Sequence, residues 1–282
     1  MISDWMENES LTRKDQVLNV MYDLRIFTRS QLVTITGLGK HNVDMILKSI
    51  RRMSGDGEGK EDWLQAKGYN RPKKPGEPKV VYSLGMKAIR YVQTLRGLEP
   101  RSREAPSAQT GHFIGINDIL MRSLERYGHD RIGWYSEMEL AVLLYLDIKD
   151  AVNKEPAMNA IIRPDGMLLI DGQRHFVEFD NATEGPRKLE TKFSRYIDLY
   201  EMVQDYENVP ILWVANTEKR LTYIKNNWEI TVSKFYAGYE AKKIPKCLFA
   251  VAGEESEVLD ESMGKLLSGR KNVLSKGVPT FN

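Results

Sequence analysis

Three carboxylates stand where a folded chain could bring them together: Asp165, Glu178 and Asp180. Glu178 and Asp180 are two residues apart, so in an extended segment their side chains leave the same face, with Phe176 on that face too. Two carboxylates so close repel each other and lose hydration if buried. A cation, a Lys or Arg partner, or exposure to water must offset that cost. Asp165 precedes the apolar run Met167 to Ile170, and a polar turn at Asp171-Gly172-Gln173 leads into the run His175 to Asp180. If the two runs pair as a hairpin around that turn, Asp165 lies beside Glu178 and Asp180. Three hard oxygen ligands suit Mg²⁺ or Mn²⁺, so these residues are candidate metal ligands. An edge hairpin with solvated acids is the alternative.

The elements around this stretch follow from pattern. A helix is predicted from Pro186, suited to a first turn, to Val203, with Leu189, Phe193, Ile197, Tyr200 and Val203 inward. Lys188, Lys192 and Arg195 line another face, which points at the carboxylates, at phosphate, or only at solvent. The apolar run Pro210 to Ala215 reads as a strand buried on both faces, as does Cys247 to Val251. Thr217 is the expected cap of a helix reaching about Asn227. A helix is expected from Gly111 to Tyr127, with His112 at its start as a phosphate or metal contact or a structural residue. Ile132 to Tyr135 reads as a strand, and Glu137 is placed to approach the carboxylates. Residues 138–160 leave strand, short helix and loop open. Strand, hairpin, helix, strand, helix gives a mixed sheet flanked by helices.

The first third has a different character. Residues 1–105 hold 19 Lys and Arg against 13 Asp and Glu, a net of +6, whereas the remainder carries −4. A basic segment of this size is the electrostatic footprint of a nucleic-acid module. Residues 1–10 read as a loose arm. Thr12 starts one helix. Thr28, with Gln31 three residues on, starts a second by a capping box. A tight turn at Thr36 to Gly39 leads to a third helix from about Lys40 to Met53. Its apolar stripe is Val43, Ile46, Leu47, Ile50 and Met53, and the opposite face carries Lys40, His41, Asn42, Lys48, Arg51 and Arg52. That is a helix-turn-helix pattern, or else a three-helix core with a solvated charged face. Strands predicted at Trp63 to Ala66 and Lys79 to Leu84 flank a basic loop, so Arg71, Lys73, Lys74 and Lys79 would meet phosphates as a wing. A helix from about Gly85 to Thr94 follows. The Pro- and Ser-rich stretch 97–110 is the expected linker between a winged-helix unit at 1–96 and an α/β unit at 111–252, and 253–282 reads as a polar, partly disordered tail.

Other classes are disfavoured. No apolar run reaches the roughly 18 residues of a membrane span. The start is acidic and polar, unlike a signal peptide, so a cytoplasmic location and no membrane partner are expected. The single Cys247 excludes an intrachain disulfide or a cysteine-cluster zinc site, and the four His are scattered. Nothing matches GxxxxGK[ST] or GxGxxG.

Pro164-Asp165, a hairpin, Glu178-Phe179-Asp180 and a basic helix together resemble the PD-(D/E)xK nuclease superfamily. The resemblance implies that Asp165 and Glu178 hold a divalent ion and that a Lys two residues on activates water. Asp180 stands at that place, and members with the Lys moved to the next helix point to Lys188 or Lys192. The wider arrangement resembles the replication-relaxation family of bacterial plasmids and mobile elements. It comprises the winged-helix start, Gly111-His112-Phe113-Ile114-Gly115-Ile116-Asn117-Asp118, Arg163-Pro164-Asp165-Gly166, Val177-Glu178-Phe179-Asp180-Asn181-Ala182-Thr183-Glu184, Lys192-Phe193-Ser194-Arg195-Tyr196 and Ile211-Leu212-Trp213-Val214. The expected fold is therefore α/β multidomain, a winged helix-turn-helix joined to a PD-(D/E)xK nuclease-like mixed-sheet core. The leading function is a DNA-binding accessory or regulatory protein acting in replication, relaxation or mobilisation. The second is an endonuclease using Mg or Mn, with Asp165, Glu178, Asp180, Lys188 and Lys192 as its catalytic set. The third is a transcription regulator whose second unit only dimerises. Double-stranded DNA is the expected partner, replication or mobilisation proteins are further candidates, and a homodimer is left open.

Overall fold

Side-chain caps fix the first helices. Thr12 accepts a hydrogen bond from the Asp15 N–H at the start of α2 (Arg13–Leu24). Thr28 and Gln31 form the predicted capping box of α3 (Arg29–Thr36), each side chain bonding the other's backbone. Gly37, at φ +66°, ends α3, and α4 (Lys40–Arg52) begins three residues later. The computed structural model describes residues 1–53, 63–69, 79–99, 109–157, 161–182, 184–236 and 244–274. The start of the chain is not a loose arm. It forms α1 (Ile2–Glu7), held by buried Ile2 and by the Trp5 indole donating to Asp23 at 3.0 Å.

Strands β1 (Ile26–Thr28), β2 (Leu64–Tyr69) and β3 (Lys79–Leu84) form an antiparallel sheet in the order β1-β3-β2, and α5 (Met86–Leu95) packs beside it. The β2–β3 hairpin pairs Leu64 with Leu84 and Tyr69 with Lys79. The predicted wing residues Arg71, Lys73 and Lys74, the loop from Ser54 and most of the predicted linker lie outside the described residues.

A second, five-stranded sheet has the order β4-β5-β6-β7-β8: β4 (Ile132–Ser136), β5 (Gly166–Ile170), β6 (Gln173–Asp180), β7 (Ile211–Ala215) and β8 (Cys247–Val251). The first three strands are antiparallel, and β6, β7 and β8 are parallel, so the sheet is mixed. The β5–β6 hairpin turns on Asp171 and Gly172, both at positive φ, as a two-residue turn requires. One face of the sheet, with Met167, Phe176, Ile211 and Trp213, packs against α7 (Glu137–Val152), α8 (Pro186–Met202) and α9 (Glu218–Tyr236). The other, with Leu168, Val177, Phe179 and Leu212, packs against α6 (Thr110–Tyr127) and α10 (Glu255–Leu274). A mixed α/β protein with two sheets results. Among the described residues no helix is long and apolar enough to cross a membrane.

Three further elements differ from the pattern reading. The undecided stretch after Ser136 is a full helix, α7, opened by a Ser136–Glu139 capping box. Helix α9, capped by Thr217, continues past Asn227 to Tyr236. Within the predicted polar tail, residues 255–274 form α10, anchored by buried Leu259 and by Glu255, which accepts from the Gly253 N–H and pairs with Arg122 at 2.5 Å.

The two sheets share one hydrophobic core through α6. Buried Asn117 donates to the carbonyls of Leu24 at 3.1 Å and Ile26 at 2.8 Å. Gln31, beyond its capping role, donates to the Ile114 carbonyl at 2.9 Å and to Asp118 at 2.7 Å. Helix α6 can lie close against β6 because position 115 is Gly: a Cβ there would fall 2.0 Å from the Phe179 ring.

Candidate nucleic-acid face and carboxylate site

Helix α4 is amphipathic. Val43, Leu47 and Ile50 are buried on one face. Lys40, His41, Asn42, Lys48, Arg51 and Arg52 are all exposed on the rest of the helix. None of those six side chains has a hydrogen bond or ion pair among the described residues. An Arg29–Asp44 ion pair ties α4 to α3 and neutralises the exposed acid of α4 itself. Lys79 begins β3, paired with Tyr69 at the loop end of the hairpin.

The carboxylates are set by the β5–β6 hairpin. Asp165 stands immediately before β5, and its N–H donates to the Val177 carbonyl at 3.0 Å. Its Oδ2 accepts from the Phe179 N–H at 2.7 Å, and its Oδ1 lies 3.1 Å from His112 Nε2 at the start of α6. Glu178, on β6, is wholly buried and faces α8. Lys192 Nζ donates to its Oε2 at 2.8 Å and the Tyr196 hydroxyl to its Oε1 at 2.7 Å. Lys192 and Tyr196 are four residues apart and so share one face of α8.

Burial dominates the electrostatics of this cluster. It pushes the Glu178 carboxyl up to about 7, with the Asp165 charge adding to the rise and the Lys192 ammonium opposing it. Burial also acts to raise Asp165, but the His112 and Lys192 charges prevail and hold it below the usual carboxylate range. The Lys192 ammonium is desolvated, yet the surrounding carboxylates raise its pKa, so it stays protonated. Desolvation pulls His112 down and Asp165 pulls it up more strongly, giving a net rise. The cluster holds two acids, the Lys192 ammonium and the His112 imidazole within a few ångströms.

Asp180 is drawn elsewhere. It keeps the face shared with Glu178, but Arg220 on α9 grips it through two hydrogen bonds at 3.0 and 2.6 Å, and the Ala182 N–H donates to it at 2.5 Å. Arg220 also donates to the Glu184 carbonyl at 2.6 Å, closing the segment between β6 and α8. The structure thus brings Asp165, Glu178 and Lys192 together, and turns Asp180 toward Arg220. Lys188 is on the exposed rim one turn before Lys192. Glu137 is away from the cluster and lies 3.4 Å from Arg25. Among the described residues, no group of three His, Cys, Asp or Glu side chains converges as metal ligands.

Pattern reading leaves the role of His112 open and does not single out Tyr196 or Arg220. The four-residue spacing of Lys192 and Tyr196 is a usable signal. Arg220 carries none, because its partner lies 40 residues away in the chain.

The fold and site define a mixed α/β protein with an open basic helix beside one sheet and a buried carboxylate–lysine cluster on the other. The sequence model of the replication-relaxation family matches residues 18–210, and the chain belongs to that family. The family ties it to the replication and relaxation of mobile elements. No curated protein and no solved structure matches it.

Proposed function

We propose that this protein is a DNA-binding accessory or regulatory protein of a plasmid or other mobile element, acting in its replication, relaxation or mobilisation. The observation that carries this reading is the face of α4, where six exposed polar and basic side chains have no hydrogen bond or ion pair among the described residues. Helix α3, the Gly37 turn, α4 and the β2–β3 hairpin follow the order of a winged helix. In that geometry α4 lies in the major groove, with Asn42 and Lys48 at base edges and Arg51 and Arg52 on phosphates. The sheet β4–β8, with its hairpin, crossover helix α8 and parallel β7, supports a PD-(D/E)xK-like core put to use in holding DNA or a protein partner. Selection from a random duplex pool tests the groove assignment. Asn42→Ala and Lys48→Ala should each change the selected sequence, and an unchanged selection would overturn it.

One observation favours a second reading, a Mg- or Mn-dependent endonuclease: Lys192 reaches Glu178 from α8, in the place of the Lys absent at position 180. A metal ion at this donor set would have to share or displace donors already in place. All four oxygens of Asp165 and Glu178 are hydrogen-bonded, and Asp180 is committed to Arg220. Supercoiled-plasmid nicking with Mn²⁺ or Mg²⁺ decides between the readings. Nicking lost in Asp165→Ala plus Glu178→Ala would establish the nuclease. No nicking with DNA binding intact would leave the accessory role.

A further inference from the structure

A cleft of about 740 Å³ opens along α8 on the side away from its buried face. Its lining includes Arg163, Arg187, Lys188, Lys192 and Arg195, with Glu184 as the one acid among the described residues. Ile161 and Ile162, both buried, form its apolar floor. Lys192 is spoken for by Glu178 and, at 3.5 Å, by Glu184. The other four cations have no ion pair among the described residues.

We infer that this cleft is a second DNA-binding site, taking the phosphate backbone of a duplex without regard to sequence. Four uncompensated cations at one concave surface repel each other and attract a polyanion. Arg187 and Arg195 are eight residues apart, about 12 Å along the helix axis, so no single phosphate spans them, whereas a DNA strand presents several over that length. Among the described residues no aromatic side chain lines the cleft, which gives a base or a free nucleotide no platform there on which to stack. The cleft lies beside the Glu178–Lys192 pair, so a bound backbone would pass the carboxylate cluster. The inference is independent of the α4 assignment, because it rests on residues of the other sheet.

The test is the salt dependence of binding of the full chain to a labelled random-sequence duplex. Arg163, Arg187, Lys188 and Arg195 are replaced together by Ala, and Lys154→Ala plus Lys219→Ala, exposed cations elsewhere on the same unit, serves as the control. The slope of log affinity against log salt should fall by about 0.9 per phosphate neutralised, about 3 to 4 for the set. If four replacements unfold the chain, Arg187→Ala plus Lys188→Ala carries the same test with about half that change. A slope and affinity equal to those of the control overturn the inference, whatever the α4 variants do. A second arm follows the thermal midpoint on adding inorganic phosphate. A rise that needs the four cations, with duplex binding unaffected by their loss, would mean a single-anion pocket and overturns it too. Loss of duplex binding in the cleft variant with α4 variants unaffected would retain the inference and remove the winged-helix reading.

Discussion

Replacing Glu178 by Gln should remove a defined pH dependence of stability. Glu178 is wholly buried, and burial lifts its carboxyl from the ordinary 4.5 to about 7 despite the Lys192 ammonium. Between those values the folded chain holds a proton that the unfolded chain has released, so stability falls as pH rises through the window. A rise of about 2.5 units at about 1.4 kcal/mol per unit amounts to about 3 kcal/mol across it. Glu178→Gln keeps the shape, and its carbonyl still accepts from Tyr196, but it does not titrate. Lys192 keeps Glu184 as a partner. Urea unfolding of both chains at several pH values from about 4 to about 8 gives two stability curves. His112 and Asp165 titrate in both but also feel the Glu178 charge, so the difference between the curves reports Glu178 together with its coupling to them. That difference should shift against the wild type by about 3 kcal/mol between the two ends of the window. Parallel curves would refute the reasoning, since they would mean that Lys192 and Tyr196 fully offset the desolvation of an ordinary, ionised carboxylate.

Two further substitutions test the packing around the site. Arg220→Ala should destabilise by about 3 to 5 kcal/mol, because it leaves the Asp180 carboxylate, 1% exposed, with a single backbone donor. Denaturation of Arg220→Ala beside Arg220→Ala plus Asp180→Asn measures it, and the double variant should recover part of the loss. Gly115→Ala should cost about 1 to 3 kcal/mol or more, because its methyl would enter the Phe179 ring at the crossing of α6 and β6. A thermal midpoint equal to that of the wild type would show that the two elements separate more easily than the fold implies.

Much of the architecture is legible in the sequence because its determinants are local. Thr12, Thr28 with Gln31, and Pro186 mark helix starts through bonds or φ preferences that span only a few residues. Asp171-Gly172 names its own turn, and with that turn fixed the register of Asp165 against Val177 to Phe179 follows. Helix α7 is not legible, because Leu140, Val142, Leu143, Leu144, Leu146 and Ile148 leave it apolar nearly all round and blur any period. Helix α10 is hidden for the opposite reason: a polar segment is held by Leu259 and by a Glu255–Arg122 pair that spans 133 residues of chain. At the site, strand alternation places Glu178 and Asp180 on one face but cannot assign their partners. Lys192 and Arg220 divide them because α8 and α9 cross that face at different points. His112 joins Asp165 only because α6 packs on the other side of the sheet, an arrangement with no sequence signature.

On the proposed reading, α4 binds DNA. The most direct measurement is the affinity of Lys48→Ala plus Arg51→Ala plus Arg52→Ala for duplex DNA across a salt series, beside the wild type. These side chains are exposed and unpaired among the described residues, so the fold should keep its thermal midpoint. Binding should weaken, with the slope of log affinity against log salt falling by about 0.9 for each phosphate that is no longer neutralised. Unchanged affinity and slope in a folded variant would make the basic face of α4 an ordinary solvated surface.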